Sequence, residues 1–124
     1  MYFLDTCALL GYLKGEKRFE RIVESGDISV SRFQLMELYY IALRELGEEL
    51  AEKYYEAFSR YEVEIEEHTL KNAMKKRLEM QGKGLNVSYV DALGYQYSID
   101  KEMEFVTSDP AFRKLKGVIF VPIE

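Results

Sequence analysis

Tryptophan is missing from this 124-residue chain, which has one cysteine, one histidine and two prolines. Each shortage excludes something. With Cys7 alone, no internal disulfide and no thiolate zinc cage can form, and its apolar neighbours mark it as a small buried hydrophobe. His68 follows Glu66 and Glu67 at the start of a helical pattern and reads as a surface or capping residue, not a metal ligand. No uncharged apolar run reaches ten residues, and a helix needs about 20 to span a bilayer. The N-terminus lacks the basic region and small-residue cleavage site of a signal peptide, so the expected location is cytoplasmic, with no membrane partner. Low-complexity tracts and internal repeats are absent too. With 48% hydrophobic and 31% charged residues, the expectation is one domain over 1–124, burying roughly two thirds of its unfolded surface. Lys and Glu are abundant while Asn and Gln are few, a bias of proteins from hot environments.

Positive charge is also short. The formal net charge of −5 excludes nucleic-acid affinity built on a general positive field. The distribution is uneven. Residues 44–67 carry nine acids against three bases, whereas residues 71–83 carry Lys71, Lys75, Lys76, Arg77 and Lys83 against Glu79 alone. That segment is either a face for an anionic polymer or a solvated helix surface.

What the chain does have is alternation. Tyr2-Phe3-Leu4 predicts a strand, followed by helices over Ala8–Leu13 and Glu16–Glu24, then a strand over Asp27–Val30. Ser31 and Gln34 have capping-box spacing, predicting a helix to about Leu46 with an apolar stripe of Leu35, Leu38, Ile41 and Leu46. Gly47 ends it. A helix over Glu48–Arg60 carries Leu50, Tyr54, Ala57 and Phe58, and Val63 alternating with Ile65 predicts a half-exposed strand. Leu70, Met74 and Leu78 define the apolar stripe of a helix over Thr69–Met80; Gly82-Lys83-Gly84 is the loop after it. A last long helix spans Ser88 to about Ile99. Strands at Phe105–Thr107 and Val118–Val121 close the pattern around a turn at Pro110 and a short helix near Phe112. Strands separated by helices imply a mostly parallel sheet covered on both faces.

Four acids stand at informative places. Asp5 ends the first strand, and Asp109 ends the run Phe105-Val106-Thr107-Ser108. Side by side in a parallel sheet, those strands bring both acids to the edge where open α/β sheets bind ligands. Clustered acids imply a cation, and such a cation is commonly used in phosphate chemistry. Glu37 lies on or beside the apolar stripe of its helix, where a carboxylate needs a partner. Asp91 follows Ser88 by three residues, so it reads equally as a capping residue or a functional one.

The order is more specific than its members. YFLDTCALL around Asp5, LMELYY around Glu37, SYVDALGY around Asp91 and FVTSDPAF around Asp109 together resemble the PIN-domain nucleases, across nearly the whole chain. The compact length resembles in particular the VapC-type toxins of prokaryotic toxin–antitoxin pairs. This resemblance implies a three-layer α/β/α fold with a five-stranded, mostly parallel sheet. It also implies Mg²⁺ or Mn²⁺ held by the acids, hydrolysis of RNA phosphodiester bonds, a homodimer, and a cognate antitoxin that covers the active site. In that scheme Asp5 is the central ligand, and Asp91 and Asp109 hold the metal directly or through water. Glu37 orients or deprotonates the attacking water, while the Thr6 and Thr107 hydroxyls fix the carboxylates. A hard cation that keeps several waters suits such an oxygen-only set.

Two departures are visible. Pro110 directly follows Asp109, where such proteins often carry a polar or charged residue, and Tyr95 and Tyr97 stand where small residues allow closer packing. Tyr39, Tyr40, Tyr54, Tyr55 and Tyr61 either stack bases or pack helices, and the helices from Phe33 to Arg60 offer a groove for an amphipathic antitoxin peptide. Other readings are a non-catalytic PIN-fold module binding RNA or protein, and a PIN nuclease of RNA processing. A haloacid-dehalogenase phosphatase would need a second Asp where Cys7 stands. A receiver domain would need an Asp near Glu66-Glu67-His68.

Overall fold

Successive side chains of a strand point to opposite faces of its sheet, so two adjacent apolar residues feed two different cores. On β1 (Tyr2–Leu4), Phe3 joins one buried cluster and Leu4 the other; on β4 (Glu104–Thr107), Phe105 and Val106 divide in the same way. The computed structural model describes residues 1–122 and gives three layers around these strands. Beneath Leu4 and Val106 lie Leu9 of α1 (Thr6–Leu13), Phe19 of α2 (Lys17–Glu24), Leu35 and Leu38 of α3 (Arg32–Leu46) and Phe58 of α4 (Glu48–Ser59). The opposite core gathers Phe3 and Phe105 with Met80 of α5 (Glu67–Gly82) and Tyr95 and Tyr97 of α6 (Tyr89–Asp100).

β2 (Ile28–Ser31), β3 (Glu62–Val63) and β5 (Val118–Phe120) complete a five-stranded sheet in the order β3-β2-β1-β4-β5, with every pairing parallel. The chain steps outward from β1 to β2 and β3, then returns to the other side of β1 for β4 and β5. The order therefore reverses between β1 and β4, and the carboxyl ends of those two strands form the crevice where such sheets bind ligands. Register makes the junction exact to the residue: Leu4 pairs with Val106, so Asp5 and Thr107 emerge together.

Local signals account for most boundaries. Ser31 caps α3 through a complete capping box with Gln34. Gly47, at φ +94°, turns the chain sharply between α3 and α4. Gly94 lets α6 lie against the sheet, since a Cβ there would come within 2.7 Å of the Phe3 ring and 2.9 Å of Gln34 Nε2. Tyr95 and Tyr97, anomalous in sequence, fill the space on either side: Tyr95 packs on Phe105 and Phe112 and donates to the Lys116 carbonyl at 2.8 Å, and Tyr97 packs on Phe3.

Several expectations need correcting. The stripe Leu70, Met74 and Leu78 is exposed; α5 buries Thr69, Ala73 and Met80 instead. The helix is anchored by Met80 in the core and by the Thr69 hydroxyl donating to Asp100. Leu46 and Ala57 are also exposed, while Ala42 and Ala51 are buried on the two packed helices α3 and α4. Cys7 is only half-buried. The third strand stops at Val63, with Ile65 packed beside the second core outside any strand. α1 begins at Thr6, two residues earlier than expected, because Asp5 caps it. Tyr55 and Tyr61 pack on the first core, and Tyr39 meets Tyr55 edge to face.

Candidate active site

Asp5 leaves β1 by donating its backbone N–H to the Val106 carbonyl at 3.1 Å, and its side chain then turns inward. It is completely buried. One carboxylate oxygen accepts the Ala8 N–H at 2.8 Å, and the other accepts the Thr107 hydroxyl. That hydroxyl in turn accepts the Asp109 N–H at 3.0 Å. Thr107 is thus a bridge between the two strand-end acids. Asp109 accepts the Ala111 N–H at 2.9 Å and caps the 3₁₀ turn Pro110–Phe112. Pro110 suits that turn, since the first residue of a helix has no use for its N–H.

Glu37 and Asp91 arrive from helices on opposite sides of the sheet. Glu37, half-buried on α3, accepts the Thr6 hydroxyl at 2.6 Å. Asp91 sits in the first turn of α6, where its N–H donates to the Ser88 hydroxyl at 3.0 Å. A residue that the sequence did not single out joins the two helices: the Gln34 side chain, fully buried, donates to the Val90 carbonyl at 3.1 Å. Its only sequence signal was the capping box, which explains its backbone-side bond but not its reach across the sheet edge. Ser108 carries no sequence signal of its own; its buried hydroxyl has no partner among the described residues.

Electrostatics places the four acids in one field. Burial, and next the charge of Asp91, pushes the Asp5 carboxyl up to about 8; Thr107 and Ala8 pull it down, and Asp109 adds to the rise. Asp91 is pushed up to about 6, first by burial and then by Glu37 and Asp109, with Ser88 opposing. Cys7, beside Asp5 and Thr6, is raised to about 12 by burial and then by Asp5, Asp91, Asp109 and Glu37 in turn.

The donor set is oxygen only, and its members repel one another, which is the condition a cation relieves. As placed, no group of three or more His, Cys, Asp or Glu side chains among the described residues stands ready to hold a metal ion. Pairs suffice for Mg²⁺, which binds through one or two carboxylates and keeps several waters. His68 is exposed, with Nδ1 at 3.5 Å from a Glu66 oxygen, far from any such role.

The PIN domain family model matches residues 2–118. The chain belongs to the PIN domain family. Solved structures with the same fold span nearly the whole PIN domain. A toxin–antitoxin complex from Klebsiella pneumoniae superposes with TM-score 0.78 at 18% identity, covering 99% of this chain and 100% of that one. VapBC2 from Rickettsia felis, bound to a DNA fragment from its promoter, gives TM-score 0.77 at 19% identity, covering 99% and 98%. VapC20 from Mycobacterium tuberculosis, described as a sarcin-ricin-loop-cleaving toxin, gives 0.71 at 20% identity, covering 99% and 98%. Comparison with curated protein sequences finds no match. No described helix of this PIN domain is long and apolar enough to cross a membrane.

Proposed function

We propose that this PIN domain is a Mg²⁺- or Mn²⁺-dependent endoribonuclease and the toxin of a cytoplasmic toxin–antitoxin pair. The observation that carries the reading is the electrostatic coupling of Asp5, Glu37, Asp91 and Asp109 at the switch point: burial and then Asp91 push Asp5 up to about 8, and burial and then Glu37 and Asp109 push Asp91 up to about 6. Asp5 would hold the metal, with Asp91 and Asp109 bound to it directly or through its retained waters, and the metal would supply charge neutralisation at the scissile phosphate and an acidified water. Thr107 keeps Asp5 and Asp109 in register at the strand ends. Glu37, turned by its bond from Thr6, has its second oxygen available to orient the attacking water and take its proton. Water then replaces the 3′-oxygen at phosphorus, leaving a 3′-hydroxyl and a 5′-phosphate.

The partners follow the same reading. Leu10, Leu13, Ile41, Leu46 and Tyr54, together with Lys14 and Glu45, line a mostly apolar cavity of about 160 Å³ between α1, α3 and α4, a seat for an amphipathic antitoxin segment. The exposed stripe Leu70, Met74 and Leu78, with Phe33 and Tyr89 nearby, supports a homodimer. Likeness to toxin–antitoxin complexes supports the toxin role. The test is cleavage of single-stranded RNA in Mg²⁺, silenced by EDTA. Asp5→Asn should fold and lose at least ~10²-fold in rate. Undiminished cleavage by a folded Asp5→Asn protein would overturn the enzyme reading.

A further inference from the structure

A cavity of about 630 Å³ is lined by Cys7, Leu10, Gly11, Lys14, Gly15, Glu16 and Lys17. Cys7 ties it to the acids: its neighbour Thr6 donates its hydroxyl to Glu37 at 2.6 Å, and Cys7 itself lies in the field of all four. The outer rim of the cavity is the turn between α1 and α2. Helical rise puts Lys14 about 10 Å along α1 from Cys7. The turn itself is open, since nothing stands within 4 Å of where a Cβ on Gly15 would be.

The cations of this turn are not equivalent. Arg18 is engaged by Glu16, with guanidinium nitrogens at 3.0 and 3.1 Å from its two carboxylate oxygens. Lys14 and Lys17 are exposed, and neither is ion-paired among the described residues. Two exposed lysines lining one cavity that reaches Cys7, in a chain of net charge −5, are suited to a polyanion. The metal neutralises one phosphate only. The phosphates on either side still meet an acidic surface and need cations of the protein's own.

We propose that Lys14 and Lys17 form a phosphate-binding rim that holds the backbone of single-stranded RNA next to the scissile bond, the cavity beneath them taking the adjoining nucleotide. This rests on the ribonuclease reading above. An ammonium on a flexible stem holds phosphate as a point charge and carries no sequence information, so the rim sets affinity and register, not base choice.

The test is the salt dependence of binding, measured by anisotropy of a short labelled single-stranded RNA on Asp5→Asn protein, with and without Lys14→Ala and Lys17→Ala together. Two phosphate contacts on a single strand contribute about 1.4 to the slope of log K against log[KCl], so the double substitution should lower the slope by that amount. On wild-type protein it should raise KM by more than it lowers kcat. Lys75→Ala with Lys76→Ala makes the same change of charge on α5, where neither lysine is ion-paired among the described residues, and should leave the slope unchanged. An unchanged slope in the Lys14/Lys17 variant, or an equal fall in both variants, overturns the rim while the nuclease reading stands. If wild-type protein neither binds nor cuts RNA in Mg²⁺, the nuclease reading itself fails and the rim with it.

Discussion

Thr107 and Ser108 are neighbours on the same buried strand end, and their hydroxyls have opposite fates. The Thr107 hydroxyl donates to Asp5 and accepts from the Asp109 backbone, so it is fully used. The Ser108 hydroxyl is buried and bonded to nothing among the described residues. Removing a buried group whose partners stay behind leaves them unsatisfied, at a cost of about 1–3 kcal/mol, whereas removing an unpartnered one relieves a desolvation penalty. Thr107→Val should therefore lower the melting temperature and depress cleavage, because Asp5 and Asp109 lose their common fixing point. Ser108→Ala should leave stability unchanged or raise it, with cleavage intact. Thermal melts and single-turnover rates for the pair check this, and equal losses in both would show that the Thr107 bridge has no special role.

At the scale of elements, α6 is held by what Gly94 omits. An Ala there would place Cβ 2.7 Å from the Phe3 ring and 3.1 Å from that of Phe105, both in the core. Overpacking costs about 1–3 kcal/mol, which outweighs the better helix propensity of Ala. Gly94→Ala should lower the denaturation midpoint, and by pushing Gln34 from the Val90 carbonyl it should also loosen the helix start that carries Asp91. Much of this was legible beforehand. Ser31 and Gln34 announced α3, and the strand-end acids announced the crevice, because capping chemistry and strand length are local properties. The rotation of α5 was not local. Leu70, Met74 and Leu78 have the spacing of a core stripe, yet the face is chosen by Met80, packed in a core with Phe3, and by Thr69 bonding to Asp100, partners distant in sequence. Asp5 reads in sequence as a ligand, yet it also caps α1; Asp109 likewise caps a turn, and Asp91 lies in a first turn. Placement at helix starts partly offsets the cost of gathering these charges. The misread stripe now becomes informative. Leu78 is 71% exposed, so Leu78→Lys should change monomer stability by no more than about 0.5 kcal/mol. Light scattering should find wild-type dimer and Leu78→Lys monomer if this face joins two copies; an unchanged dimer places the interface elsewhere.

For the whole molecule, the acid cluster ties stability to pH and to metal. The Asp5 carboxyl is raised to about 8 and that of Asp91 to about 6, first by burial. Between the ordinary carboxylate range near 4 and these values, the native protein binds protons that the unfolded chain has released, so unfolding free energy falls as pH rises. The contribution of the cluster is fully present below about pH 4 and is lost as pH climbs through 6 and then 8. Asp5→Asn removes the larger part of that slope, so its melting temperature in EDTA should decline less between pH 6 and 8 than that of wild type. Metal reverses the sign of the problem. It binds the ionised acids and must displace the Asp5 proton, so apparent Mg²⁺ affinity should increase over the same interval. At about ten times its dissociation constant, Mg²⁺ adds about 1.4 kcal/mol by mass action, a few degrees in melting temperature. Asp91→Asn should raise the melting temperature in EDTA and abolish most of the Mg²⁺-induced rise. Were Asp91 only a helix-capping residue, Asn would cost a few tenths to about 1 kcal/mol and leave the metal response whole. Melting curves of wild type and Asp91→Asn, with EDTA and with Mg²⁺ at pH 6 and 8, separate the two, and a Mg²⁺ response equal in both proteins would remove Asp91 from the cation site.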